Sequence, residues 1–345
     1  MTDVLPQTMR ASVLHGIGDV RLEDVPVPPV ARDQVLVRIG AVGVCGSDVH
    51  YYREGRIGDF VVERPLILGH EAAGTIVAVG ADVPSDRIGE RVSIEPQRAC
   101  RVCDQCKHGR YNLCRRIEFY ATPPIDGAFA EFAVIQADYA FRLPDAVSLV
   151  AGALCEPLSV GVWSNRKARV GPGSSLLVAG GGPIGIIVTQ VARAFGAADV
   201  IVSDPVATRR DAALRYGATR VVDPLLDDAL DGLEVDAFID ASGAAAAVRA
   251  GILAVAPAGR VVLVGMGADD LLLPVSRIQS RELEVTGVFR YANTWPLALD
   301  LVARGAVDLD GLVTGRFGLD DVEAALESAT RPDSLKAVVL PGGDL

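Results

Sequence analysis

Aromatic side chains are scarce in this chain: Phe, Trp and Tyr together make up 5% of its 345 residues. The apolar half of the sequence is carried mainly by Val, Ala and Leu, a composition that suits an α/β protein with buried parallel strands. Basic charge is also in deficit, with 33 Lys and Arg against 44 Asp and Glu and a net charge of -11. A nucleic-acid partner needs a basic surface, and an anionic membrane attracts basic segments, so the charge argues against both. No apolar run approaches the roughly 20 residues of a membrane span; the densest, 176–179 and 184–188, are strand or helix sized. Residues 1–10 show no apolar signal core. The expectation is a soluble, cytoplasmic protein. In that compartment the six cysteines fit ligands or buried thiols better than disulfides.

What is present divides into two patterns. A length of 345 residues exceeds one small core and suggests two domains. Up to about residue 155 the chain reads as β-rich: 34–39 alternates, and 71–79 and 90–95 are further strand candidates, punctuated by Gly40, Gly43, Gly46, Gly80, Pro84 and Pro96. Short strands with glycine turns predict a barrel-like unit. From about Val170 strands alternate with helices: strands at 175–179, 200–203, 220–222, 237–239 and 260–264, with helices at 183–195 and 207–216 between the first three. That alternation predicts a parallel, doubly wound sheet. The tail adds helices at 295–304 and 322–329 and a last strand at 336–340.

Three constellations carry chemistry. Cys45, then His70 and Glu71 behind Gly69, and then Glu156 are scattered over more than a hundred residues. A folded metal site would give them a common purpose, and thiolate, imidazole and carboxylate ligands with an open fourth position suit catalytic zinc. Cys100, Cys103, Cys106 and Cys114 are spaced C-x₂-C-x₂-C-x₇-C. Four thiolates leave no open position, so this set suits a structural zinc. An iron–sulfur cluster is the rival, because the first three spacings also fit one; the short return and the lack of a following proline favour zinc. Gly180, Gly182 and Gly185 form G-x-G-x-x-G between an apolar strand and a helix, with Pro183 at the first helical position. Asp204 lies 19 residues beyond Gly185. This is the context of a dinucleotide site: pyrophosphate at the helix N-terminus and ribose hydroxyls on the acid, whose charge favours NAD over NADP.

Seven stretches together resemble one family: VGVCGSDVHYYREGRIGDF (42–60), LGHEAAGTI (68–76), GRYNLC (109–114), ATPPIDG (121–127), ALCEPLSVG (153–161), AGGGPIG (179–185) and GVFRYANTWP (287–296). The chain resembles the zinc-dependent medium-chain dehydrogenases, in the polyol branch typified by sorbitol and xylitol dehydrogenases, over almost its whole length. The resemblance implies a GroES-like β-barrel catalytic domain (1–157 and 290–345, with a structural-zinc lobe near 97–116) and a Rossmann domain (158–289). It implies Cys45, His70 and Glu71 as protein ligands of a catalytic zinc. Glu156 then binds the zinc water or the substrate, and Cys155 is a buried thiol. Ser47 and His50 resemble the positions that pass the alcohol proton to solvent. Tyr51, Arg290 and Tyr291 resemble polyol contacts. Ile184, Arg209, Val264, Phe289 and Arg290 join the glycine turn and Asp204 around NAD(H). His15 and His108 match nothing and read as structural or exposed. Unlike the mammalian sorbitol enzymes, this chain keeps all four lobe cysteines, so a second zinc is expected.

The expected reaction is reversible oxidation of a secondary alcohol of a polyol to a ketose, with hydride passing to NAD. The expected assembly is a homotetramer, with 283–288 as a candidate pairing strand. A sugar acid, an amino acid such as threonine, or a simple alcohol is the alternative substrate class, and a redox-inactive binding protein is the alternative outside catalysis.

Overall fold

The computed structural model describes residues 5–343 apart from 228 and 269. The chain folds as two units, one of residues 1–156 with 309–345 and one of residues 157–308. Among the described residues no helix is long and apolar enough to cross a membrane.

The first unit is built on a seven-stranded sheet. Its path runs Ala140–Arg142, Arg91–Ile94, Glu71–Val79, Gln34–Gly43, Lys336–Val339 and Val313–Phe317, and Phe132–Gln136 also pairs with Gln34–Gly43. The pairs are antiparallel except the last two strands of the path, which are parallel. A smaller sheet orders Asp19–Pro26, Thr8–Gly16 and Leu66–Ile67. Gln34–Gly43 is buried along most of its length, because strands flank it on both sides and Gly40 lies against Leu149. Val35, Leu36, Val37, Ile39 and Val42 there join Leu66, Leu68, Ile76, Ile94 and Phe129 in one core. The sequence-read strand at 71–79 is found with those bounds.

The second unit holds a six-stranded, all-parallel sheet ordered Arg220–Val222, Asp199–Ser203, Ser175–Ala179, Val235–Asp240, Val255–Leu263 and Glu284–Gly287. Strand order reverses beside Ser175–Ala179, the first strand, which marks a doubly wound sheet with its ligand crevice at that switch point. The central strands are nearly continuous Val, Ile, Leu and Ala because both faces are covered. Pro183–Ala194 follows the first strand with proline in its first turn and Gly182 as its N-cap. Gly185 must lack a side chain, since a Cβ there would lie 1.8 Å from the Gly180 carbonyl oxygen.

Residues 290–308, expected with the first unit, fall in the second. The contacts give the reason. Arg166 Nη1 donates to the Asn293 carbonyl at 2.9 Å, and Gln190 exchanges two hydrogen bonds with the Asp308 backbone at 3.1 and 2.8 Å.

Candidate active site

Cys45 caps the N-terminus of the helix Gly46–Glu54, at the end of the long central strand. Asp48, in the first turn of that helix, is fully buried. Its Oδ2 accepts the Cys45 N–H at 2.9 Å and its Oδ1 accepts the Gly69 N–H at 3.0 Å. Oδ1 also lies 3.7 Å from His70 Nδ1. One carboxylate thus fastens two segments 21 residues apart and orients the ring between them, as supporting carboxylates do around metal-ligating histidines. Burial pulls the His70 ring down, but Asp48 and the Cys45 sulfur outweigh it and hold the ring well above the ordinary histidine range.

Glu71 opens the strand Glu71–Val79 opposite Gly43. Lys336 Nζ donates to Glu71 Oε1 at 2.6 Å and to the Val44 carbonyl at 2.8 Å, and both side chains are buried. Glu71 Oε2 is buried with no hydrogen-bond partner. It occupies space that glycine provides: a Cβ on Gly43 would stand 2.0 Å from it. An unpartnered buried carboxylate oxygen is costly unless a cation satisfies it. Ligand atoms of Cys45, His70 and Glu71 all lie within 4.8 Å of one another, which is compatible with metal–ligand bonds of about 2.0 to 2.3 Å. The residues therefore fit a zinc ion.

Glu156 is buried in the first turn of the helix Cys155–Ala168, and its charge is felt by both Lys336 and Glu95. Cys155 is fully buried, its Sγ meets the Ala151 carbonyl at 3.4 Å, and burial pushes its thiol up to about 12. Tyr51 is buried, whereas His50 lies at 3.2 Å from Glu54 with its side chain 45% exposed. His15 pairs with Glu23 at 2.7 Å, and His108 meets the Asp104 carbonyl at 2.6 Å.

The four lobe cysteines converge, each offering a sulfur within 4.8 Å of the others. Cys103 and Cys106 sulfurs are 3.5 Å apart, and Cys100 and Cys106 sulfurs 3.9 Å apart, close to the edge of a tetrahedron with bonds of about 2.3 Å. Backbone N–H groups of Cys100, Cys103 and Arg116 each reach a cysteine sulfur at 3.4 Å, favouring thiolates. Between Cys106 and Cys114, Tyr111 donates to Glu95 at 2.8 Å, and Gln97 donates to the same carboxyl at 2.6 Å.

In the second unit, Asp204 is buried at the end of Asp199–Ser203. Its carboxylate accepts the Gly181 N–H at 2.7 Å and the Val206 N–H at 2.8 Å. Two bonds leave acceptor capacity for a ribose. Arg209 packs its Cβ side against Gly181. Arg210, which the sequence reading passed over, donates to the Asp204 carbonyl at 2.7 Å and pairs with Asp223 at 3.0 Å. Phe289 is half-exposed with the Arg290 guanidinium over its ring at 4.9 Å, and Tyr291 is fully buried against Trp295. Asp48 and Lys336 also escaped the sequence reading. Asp48 had a signal, an acid at the third helical position after Cys45; Lys336 had none.

Burial pushes the Glu95 carboxyl from 4.5 up to about 7, against the bonds from Gln97 and Tyr111. A carboxyl raised in the fold contributes stability that is full below its ordinary value and is lost as pH rises through about 7. Glu95→Gln keeps an acceptor without the charge. It should therefore raise the melting temperature more at pH 8 than at pH 5; an equal effect at both would contradict the assignment.

Comparison with known proteins agrees with this geometry. Residues 31–145 match the alcohol dehydrogenase GroES-like domain, and residues 183–304 match the zinc-binding dehydrogenase domain. The chain is 40% identical to sorbitol dehydrogenase of Bacillus subtilis over 99% of both chains. It is 42% identical to the probable D-xylulose reductase A of Neosartorya fischeri over 95% of both. The 2R,3R-butanediol dehydrogenase structure from Bacillus subtilis superposes with a TM-score of 0.88 at 29% identity, covering 97% of this chain and 100% of that one. Likeness of this extent in sequence and fold shows that the chain belongs to the zinc-dependent medium-chain dehydrogenases, in the polyol branch.

Proposed function

We propose that this chain is an NAD-dependent zinc dehydrogenase that reversibly oxidises a secondary alcohol of a polyol, of the sorbitol or xylitol class, to the ketose. One observation carries the reading: a half-buried Cys45 grouped with buried His70 and Glu71, with an unpartnered Glu71 carboxylate oxygen, in a chain 40% identical to a sorbitol dehydrogenase. Cys45, His70 and Glu71 would hold the catalytic zinc, with Nδ1 of His70 turned to Asp48 and Nε2 left for the metal. Cys100, Cys103, Cys106 and Cys114 would hold the structural zinc. Bound there, zinc supplies a Lewis acid that acidifies the alcohol, and NAD supplies the hydride acceptor.

The chain's own residues perform the remaining tasks. Ser47 and the part-exposed His50 lie on the helix that Cys45 opens, which supports an exit for the alcohol proton to solvent. Glu156 offers a buried carboxylate to a neighbouring hydroxyl, and Tyr51, Arg290 and Tyr291 add polar contacts. A polyol has further hydroxyls to engage these groups, and a simple alkanol has none. The N–H groups at the start of Pro183–Ala194, with Gly180, Gly182, Ile184 and Gly185, suit a pyrophosphate. Asp204 suits the ribose hydroxyls and repels a 2′-phosphate, and Arg209, Val264, Phe289 and Arg290 complete the cofactor contacts. The first unit would be catalytic and the second cofactor-binding.

We also infer a cytoplasmic homotetramer. Six cysteines with no disulfide among them suit a reducing compartment. Among the described residues Glu284–Gly287 is an edge strand paired on one side only, with Val285 38% exposed, and such an edge is a template for pairing with a second chain.

Metal analysis should find two zinc ions per chain. Cys45→Ala should lose one together with activity, while Cys103→Ser should lose the other and lower the melting temperature, with the folded fraction still active. One zinc in the parent enzyme, or full activity and zinc content in Cys45→Ala, would count against the reading. Among sorbitol, xylitol, an aldonate, threonine and ethanol, kcat/KM with NAD should be highest for a polyol, by about a hundredfold or more over ethanol. A preference for any of the other three would move the assignment to that substrate class. Sedimentation of the enzyme from the soluble cell fraction should give four copies; recovery as a monomer or with membranes would overturn the assembly and its location.

A further inference from the structure

Lys336 is a buried cation to which the reaction scheme assigns no part. It begins the strand Lys336–Val339, which joins the central strand through the pairs Val338 to Gly43 and Val339 to Val42. That register sets Lys336 beside the end of the central strand, where the chain continues through Val44 to Cys45. Its side chain is 5% exposed, and its two bonds go to the Val44 carbonyl and to Glu71 Oε1. These two bonds fix the buried Nζ in place.

The two carboxylate oxygens of Glu71 have unlike surroundings. Oε1 is bound by Lys336, and Oε2 lies unpartnered over Gly43. Free rotation would let either oxygen face a cation, or let both do so. The ammonium removes that freedom.

We propose that Lys336 is a positioning residue for Glu71: it retains Oε1, so that Glu71 meets the catalytic metal through Oε2 alone. The inference rests on the metal assignment made above. Loss of a group that orients a metal ligand typically weakens metal binding about 10- to 100-fold.

The test uses the whole enzyme loaded with ¹¹³Cd²⁺. The wild type should give two cadmium resonances, one strongly deshielded by four sulfurs and one from the mixed sulfur, nitrogen and oxygen site. In Lys336→Met the mixed-site resonance should move or broaden, and its Cd²⁺ dissociation constant should rise about 10- to 100-fold. The four-sulfur resonance should stay put, which reports an intact fold in the same sample. Because Lys336 acts through Glu71, Lys336→Met should add no further loss in a Glu71→Gln background. An unchanged mixed-site resonance and affinity in Lys336→Met, or fully additive losses in the double variant, would overturn the proposal while leaving the metal site standing. A wild type with the four-sulfur resonance alone would overturn the metal assignment and this inference with it.

Discussion

Negative charge concentrated inside the first unit is the constraint on which the site depends. The Cys45 sulfur, Glu71 and Glu156 all act on one buried lysine, Lys336. Ionised groups withdrawn from water cost several kcal/mol each unless they are matched. Lys336 reaches only one oxygen of Glu71, and the other, buried and unpartnered, is left for a second cation. On this account the metal satisfies the oxygen that the fold has left open. Gly43 leaves room for the unpartnered oxygen of Glu71, and Asp48 holds the backbone on both sides of the group.

The two units meet the problem of an anion differently. The first uses cations, a lysine on one side of Glu71 and a place for a metal on the other. The second uses backbone donors. Its glycine turn and the start of Pro183–Ala194 present N–H groups without charge, which suits a phosphate that arrives and leaves with each turnover. Asp204 is steadied by the N–H groups of Gly181 and Val206; on the proposed reading its negative charge would discriminate at the ribose without distorting the turn.

Much of this was legible in the sequence wherever chemistry demands residue types at fixed spacing. The cysteine lobe, the glycine turn with its following acid, and the Cys, His and Glu group all have that property, and the structure brings the lobe cysteines together and the three ligand candidates together. Strands made of continuous apolar residues with glycine stops, such as Ser175–Ala179 and Glu71–Val79, were legible for the same kind of reason. The hairpin strand Asp19–Pro26 was not, because it is largely exposed and rich in charge. Nor was the helix Gly46–Glu54, which opens with glycine and has little amphipathic pattern. Lys336 lies 265 residues from Glu71; nothing local marks a lysine near a C-terminal strand as a partner for a carboxylate in the core. The boundary near 290 was drawn from the expected domain pattern, and the hydrogen bonds of Asn293 and Asp308 within the second unit place it later.

The central claim is that a metal ion belongs among Cys45, His70 and Glu71. Diffraction from crystals of the enzyme, recorded on either side of the zinc absorption edge, tests it most directly. The account predicts two anomalous peaks per chain: one among the four lobe cysteines, and one bonded to Cys45 Sγ, a His70 nitrogen and a single Glu71 oxygen. A fully loaded, active enzyme with no peak at the second place would contradict it.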